Sequence, residues 1–298
     1  MKLCLGTVQF GLDYGVRGKK KPAMSEAIRL LNYAVSNGVF AFDTSSLYGD
    51  AESVLGTFVA QTKVPREDLF VVSKFGTSEF DGLSAVDCAV RLQELTAQSL
   101  SQLHTDYLDA YICHVPTAVF DDRVLSAMEA LKKTGVARHV GFSVYEADEA
   151  LTAVKSGVID FLQLPVSVLD QRMLNAGVLD FAQSRNVMLH ARSAFVQGLG
   201  LMSPEEIPEY VVDLKPFIRR LDDLCKESQV SRRDLLFAYV KQFPQISHLV
   251  FGVHTFDQLR ENLSSSENQV SVDVLNDAAG IFENVNPELV MPNKWRRK

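Results

Sequence analysis

Eight short apolar runs, separated by segments of helical periodicity, constrain the fold of this 298-residue chain more than any other feature: LCLGTV, VFAFD, LFVVSK, YLDAYICH, HVGFSV, FLQLPV, VMLHARSAF and HLVFGV. Each is rich in β-branched or aromatic residues, as strands are. Between them the apolar spacing changes to that of a helix, as in Ile28, Leu31 and Val35 before Gly38, or Phe256, Leu259 and Leu263 after Thr255. Strand followed by helix, repeated, predicts parallel pairing. Runs that are apolar almost throughout predict strands covered on both faces. Eight such units in about 300 residues favour an α/β fold of the closed (β/α)8 (TIM) barrel kind over an open doubly wound sheet. No G-x-G-x-x-G follows the first strand, where a dinucleotide fingerprint would sit. Extra material at Ser203–Lys215 and Gln229–Gln245 separates strands seven and eight. No Pro/Gly/Ser-rich linker divides the chain, so a single domain over 1–298 is predicted, with the tail 284–298 outside the repeat.

Composition narrows the partners. The net charge of −7 arises from interspersed acids and bases and offers no basic face for nucleic acid. No apolar stretch approaches about 20 residues, and the MKLCLGTVQFG start reaches glycine too soon for a signal h-region, so neither membrane insertion nor secretion is expected and the predicted location is cytoplasmic. Cys4, Cys88, Cys113 and Cys225 lie far apart with no C-x-x-C pair, which suggests neither a metal site nor a disulfide framework.

In a (β/α)8 barrel the C-terminal strand ends form the active face. VFAF ends in Asp43, LFVVS in Lys74 and AYIC in His114, with Tyr48 five residues after Asp43. Taken singly, the aspartate reads as a turn residue, the lysine as a solvated rim charge and the histidine as a packing residue. Three ionisable groups closing three successive strands, with a tyrosine on the intervening loop, is an arrangement that structural needs do not require. A buried Lys74 requires a counter-charge, and Asp43 is its natural partner. The cation beside Tyr48 would lower the phenol's pKa while desolvation would raise it, and the sequence leaves the balance open.

LGTVQFG, FDTSSLYGDAESVLG, VVSKFG, TDYLDAYICH, VGFSVYE and FLQLPVSVLD resemble, in order, the motifs of the aldo-keto reductase superfamily, from Leu3 to about Asn262. That resemblance implies a barrel that passes a hydride from a nicotinamide cofactor to a small-molecule carbonyl substrate without a Rossmann domain. It implies a catalytic tetrad of Asp43, Tyr48, Lys74 and His114, in which Tyr48 protonates the carbonyl oxygen, Lys74 and Asp43 tune Tyr48, and His114 orients the substrate. For the cofactor it implies Gly6, Thr7 and Asp43 at the first strands, Ser143 and Gln163 at the carboxamide, and a pyrophosphate loop from Ser193 through Phe195 to Gly198. Val253, His254 and Gln258 then open the last helix, and Glu261 and Asn262 meet the adenine.

Two positions depart from the family pattern: its Ser-Asn pair is Ser143-Val144, and its nicotinamide-stacking aromatic falls on Arg192. The guanidinium of Arg192 either lies against the nicotinamide or turns to hold a substrate carboxylate or phosphate. With only His254 and Arg260 as cations near the last helix, and Gln258 where relatives often place an arginine, a modest preference for NADP(H) over NAD(H) is expected. The substrate reading is a polar, sugar-like aldehyde or ketone in a pocket to which VPTAVFDD and Met291–Trp295 are placed to contribute. Two other functions stay open: a cofactor-binding sensor with little turnover, and an aldolase-like barrel in which Lys74 is an amine nucleophile.

Overall fold

The computed structural model describes residues 1–16 and 18–295. Its strands are β1 (Lys2–Gly6), β2 (Ala41–Asp43), β3 (Phe70–Phe75), β4 (Leu108–Cys113), β5 (Ala137–Ser143), β6 (Phe161–Pro165), β7 (Met188–Arg192) and β8 (Ile246–Gly252). They pair in parallel in sequence order, and β8 returns to β1 to close the barrel. The seventh apolar run is shorter as a strand than the sequence suggests. Ser193, Ala194 and Phe195 leave the ladder after Arg192, where Ser193 takes φ +66° and the chain turns across the barrel mouth.

The main surrounding helices are α1 (Met24–Ser36), α2 (Ala51–Gln61), α3 (Ala85–Leu103), α4 (Asp122–Thr134), α5 (Ala147–Lys155), α6 (Val178–Ser184), α7 (Lys215–Glu227), α8 (Arg232–Lys241), α9 (Phe256–Glu267) and α10 (Val272–Phe282). In α1 the fully buried stripe is Ala27, Leu30, Leu31 and Ala34, with Ile28 and Val35 flanking it at the edge of the apolar face. Helix starts follow the side chains available: Ser84 and Thr255 accept hydrogen bonds from the backbone N–H groups of Asp87 and Gln258.

The insertion between β7 and β8 builds a second core beside the barrel. Leu214, Ile218 and Leu221 before and within α7 pack with Leu235 of α8 and with Leu275 and Phe282 of α10. The chain after α10 covers this cluster: Val290 and Met291 are buried, and the Trp295 indole N–H donates to the carbonyl of Leu289 at 3.1 Å. Among the described residues no helix is long and apolar enough to cross a membrane.

One close approach fixes the loop that follows β2. Gly11 ends a single helical turn after β1, and a Cβ there would lie 1.7 Å from the carbonyl oxygen of Tyr48. Only glycine lets the two loops touch.

Candidate active site

The parallel register brings the ends of β2, β3 and β4 to one level. Asp43 Oδ2 lies 2.6 Å from Lys74 Nζ, and that ammonium also donates to the carbonyl of Thr44 at 2.9 Å. The other carboxylate oxygen of Asp43 accepts from Gln163 Nε2 at 2.7 Å, across the barrel on β6. The Lys74 side chain has no exposed surface, so the pair is retained by complete hydrogen bonding rather than by solvent. Thr7 secures the same strand end, donating from its backbone N–H and its hydroxyl to the carbonyl of Asp43.

Tyr48 stands on the turn after β2, with Lys74 Nζ 4.9 Å from its ring centroid. Its hydroxyl lies 3.5 Å from His114 Nε2, at the outer limit of a hydrogen bond, and the two rings meet edge to face. Ser45 Oγ is 3.4 Å from the other imidazole nitrogen. Burial raises the Tyr48 pKa well above the ordinary phenol value, the Asp43 carboxylate adds to the rise and the Arg192 guanidinium opposes it. Burial, with the charges of Lys74 and Arg192, pushes His114 down to about 3. At neutral pH the first is therefore a phenol and the second a neutral imidazole. Desolvation wins the balance that the sequence left open, and the Asp43 carboxylate adds to it against the opposing charge of Arg192.

Asp43, Tyr48, His114 and Arg192 face a cavity of about 410 Å³ whose lining includes residues of the strand ends and of α9. Gly6, Asp43, Tyr48, His114, Ser143, Gln163 and Arg192 line its inner part. Ser193, Phe195 and Gly198 line it from the loop after β7, and His254, Gln258 and Asn262 from the start of α9. Lys74 lies behind the wall, and the side chain of Val253 is buried in the main core. Glu261 points outward and pairs with Arg233 at 2.7 Å. VPTAVFDD and the Met291–Trp295 tail are not among the lining residues; the first forms a 3-10 turn over Pro116–Phe120, and the second covers the core beside the barrel.

Sequence reading missed several lining groups. Arg233 of α8 donates to Asn262 Oδ1 at 2.6 Å and reaches the cavity beside Phe195, whereas Arg260 pairs with Asp257 and does not line it. Tyr145 lines the cavity two residues beyond Ser143, and alternation along β5 was the available signal. Gln197 donates to the Tyr14 hydroxyl at 3.1 Å, which brings the loop after β1 over the loop after β7. Lys19 also faces the cavity.

The donor set fits a nicotinamide dinucleotide. Among the described lining residues Asp43 is the only acid and is already paired, while Lys19, Arg192 and Arg233 make the wall basic. Among the described residues, His254 Nε2 and Gln9 Oε1 are buried on that wall without hydrogen-bond partners, ready for a polar ligand. The capped N-terminus of α9 opens beside them and suits an anion.

A barrel with a protonated phenol at the inner end of a long basic cavity has the layout of an oxidoreductase that handles a small carbonyl and an anionic cofactor. Comparison with known proteins agrees: the model of the Aldo/keto reductase family matches residues 2–282, and the chain belongs to that family, whose enzymes use nicotinamide cofactors. It is 26% identical to L-galactose dehydrogenase of Arabidopsis thaliana, over 82% of this chain and 78% of the relative. Its identity with the NADH-specific methylglyoxal reductase of Escherichia coli is 24%, over 76% and 78%. The holo form of an aldo-keto reductase from Bacillus halodurans shares the fold with a TM-score of 0.75 at 20% identity, covering 94% of this chain and 91% of that one.

Proposed function

We propose that the protein reduces a polar, sugar-like aldehyde or ketone to the alcohol, with Tyr48 as the general acid and NADP(H) preferred over NAD(H). The observation that carries this reading is the Tyr48 hydroxyl, held beside His114 on the cavity wall with the Lys74–Asp43 pair sealed behind it. His114 is neutral and orients the carbonyl oxygen through Nε2. Tyr48 donates its proton to that oxygen as charge develops there. Lys74 stabilises the phenolate left behind, and Asp43, tied to Gln163, holds Lys74 in place. When bound, a reduced nicotinamide supplies the hydride. For the cofactor's phosphates the chain offers the loop from Ser193 to Gly198 and the start of α9, and Arg233 and Lys19 supply the cations that favour a 2′-phosphate. Arg233 is shared with Glu261, which keeps that preference modest.

Lys74 has no face on the cavity, so a substrate carbonyl does not reach it and the amine-nucleophile reading loses its support. A panel of sugar aldehydes and small ketones, followed at the nicotinamide absorbance with both reduced cofactors, tests the proposal. Turnover with faster use of NADPH is the expected result. Tight cofactor binding with no turnover across the panel would favour the sensor reading instead.

A further inference from the structure

Among the described residues the charge of Arg192 has no anionic partner. Its Nη2 donates to the carbonyl of Val144 at 2.7 Å and its Nη1 to Ser193 Oγ at 3.2 Å, both neutral oxygens. Its Nε is buried without a partner, and among the described residues no carboxylate lies within ion-pair distance of it. Among the described residues of the cavity wall, Arg233 is paired with Glu261, and behind the wall the buried ammonium of Lys74 is paired with Asp43. Arg192 lines the same cavity as Tyr48, His114 and Tyr145.

Tyr145 packs against the guanidinium. The Cζ of Arg192 lies over the Tyr145 ring, 4.2 Å from its centroid. Among the described residues, three of its five N–H bonds remain without an acceptor once Val144 and Ser193 are served. A half-buried cation with free donors and no counter-charge is costly unless an anion arrives, and a planar fork suits a carboxylate or a phosphate.

We propose that Arg192 binds an anionic group of the substrate, so that the preferred substrate is a carbonyl compound carrying a carboxylate or a phosphate. This rests on the carbonyl-reductase reading and narrows its substrate class from sugar-like compounds to their acidic or phosphorylated forms. It also chooses between the two roles open to Arg192, the anion clamp over the nicotinamide stack.

Two matched pairs test it: butanal against 4-oxobutanoate for the carboxylate, and glyceraldehyde against glyceraldehyde 3-phosphate for the phosphate. In the wild type, kcat/KM for at least one anionic member should exceed that of its neutral partner by about tenfold or more. The pair with the larger ratio identifies the anion. In Arg192→Met that ratio should fall toward one through KM, whatever change the pair suffers in common, and Arg192→Lys should recover part of it. Calorimetric titration of the cofactor-loaded protein with the two anionic compounds gives a readout independent of turnover, with binding about tenfold weaker in Arg192→Met. A ratio near one in the wild type, or one unchanged in Arg192→Met, overturns the inference. So does a variant that loses cofactor affinity while keeping the ratio, since the charge would then serve the cofactor. Binding of an anion through Arg192 without reduction of any of the four compounds would retain the anion site and remove the reductase reading.

Discussion

In the proposed reaction Tyr48 would release a proton from a site where burial and Asp43 hold it. That step would be tolerable only if the acceptor became strongly basic during reduction and the cations of Lys74, 4.9 Å from the ring centroid, and Arg192 met the new phenolate. Tyr48→Phe keeps the ring and its contact with His114 and removes only the transferable proton. Its kcat should fall by about 10²–10⁴-fold while cofactor Kd shifts by less than about twofold, as single-turnover kinetics and fluorescence titration would show. Lys74→Met has a second cost. It leaves Asp43 Oδ2 buried without its cation, and breaking such a pair costs about 3–5 kcal/mol. Denaturant unfolding should reveal that loss, and the double variant Lys74→Met, Asp43→Asn should regain much of the stability and none of the activity. Equal stability of the single and double variants would show that the pair is not the source of the cost.

At the scale of elements, what the sequence made legible was whatever the barrel repeats. Lys74 and His114 were legible as candidates because each closes an apolar run, and a strand's end is local information. Arg233 was invisible for the opposite reason. It sits on α8 beside Arg232, which pairs with Asp222, and nothing in the run SRRDLL says which of two adjacent arginines turns toward the cavity. Packing of α8 against α9 decides it. The substrate loops misled because proximity to a strand end does not say which way a loop leaves it, and the segments placed over the cavity are instead the turns around Tyr14 and Gln197. Those loops hold the site by backbone contact, which gives a test. Gly11→Ala drives a methyl group against the carbonyl of Tyr48, whereas Gly56→Ala drives one to 2.0 Å from the carbonyl of Gln102, between α2 and α3 and away from the cavity. Each should lose about 1–3 kcal/mol in thermal or denaturant unfolding. Only Gly11→Ala should also lower kcat at temperatures where the variant is folded, because only that change moves Tyr48, the proposed proton donor.

Across the whole molecule, the barrel's lower interior sets the response to acid. His190 of β7 is fully buried with neither ring nitrogen partnered, packed 4.5 Å from the Phe161 ring and 4.4 Å from that of His248 on β8, centroid to centroid. Phe70 from β3 completes the stack of rings. Burial holds His190 well below the ordinary imidazole value and pushes His248 down to about 4, as it pushes His114 to about 3. Each of these pKa values is lower in the folded chain than in the unfolded one. Between the unfolded value of about 6.5 and the folded values, the unfolded state therefore binds more protons, and stability falls as pH falls. Each histidine contributes up to about 1.4 kcal/mol per pH unit across that window. Glu52, raised by burial, works in the opposite sense and offsets part of this. Unfolding free energy measured in urea should be nearly level from pH 8 to 7 and should decline steeply from pH 6.5 to 5. His190→Phe keeps a ring in the stack and removes one titrating group, so its curve should decline less steeply over the same interval whatever its stability at pH 7. An unchanged slope would mean that the acid response arises elsewhere, in the half-buried His254 or the other carboxylates.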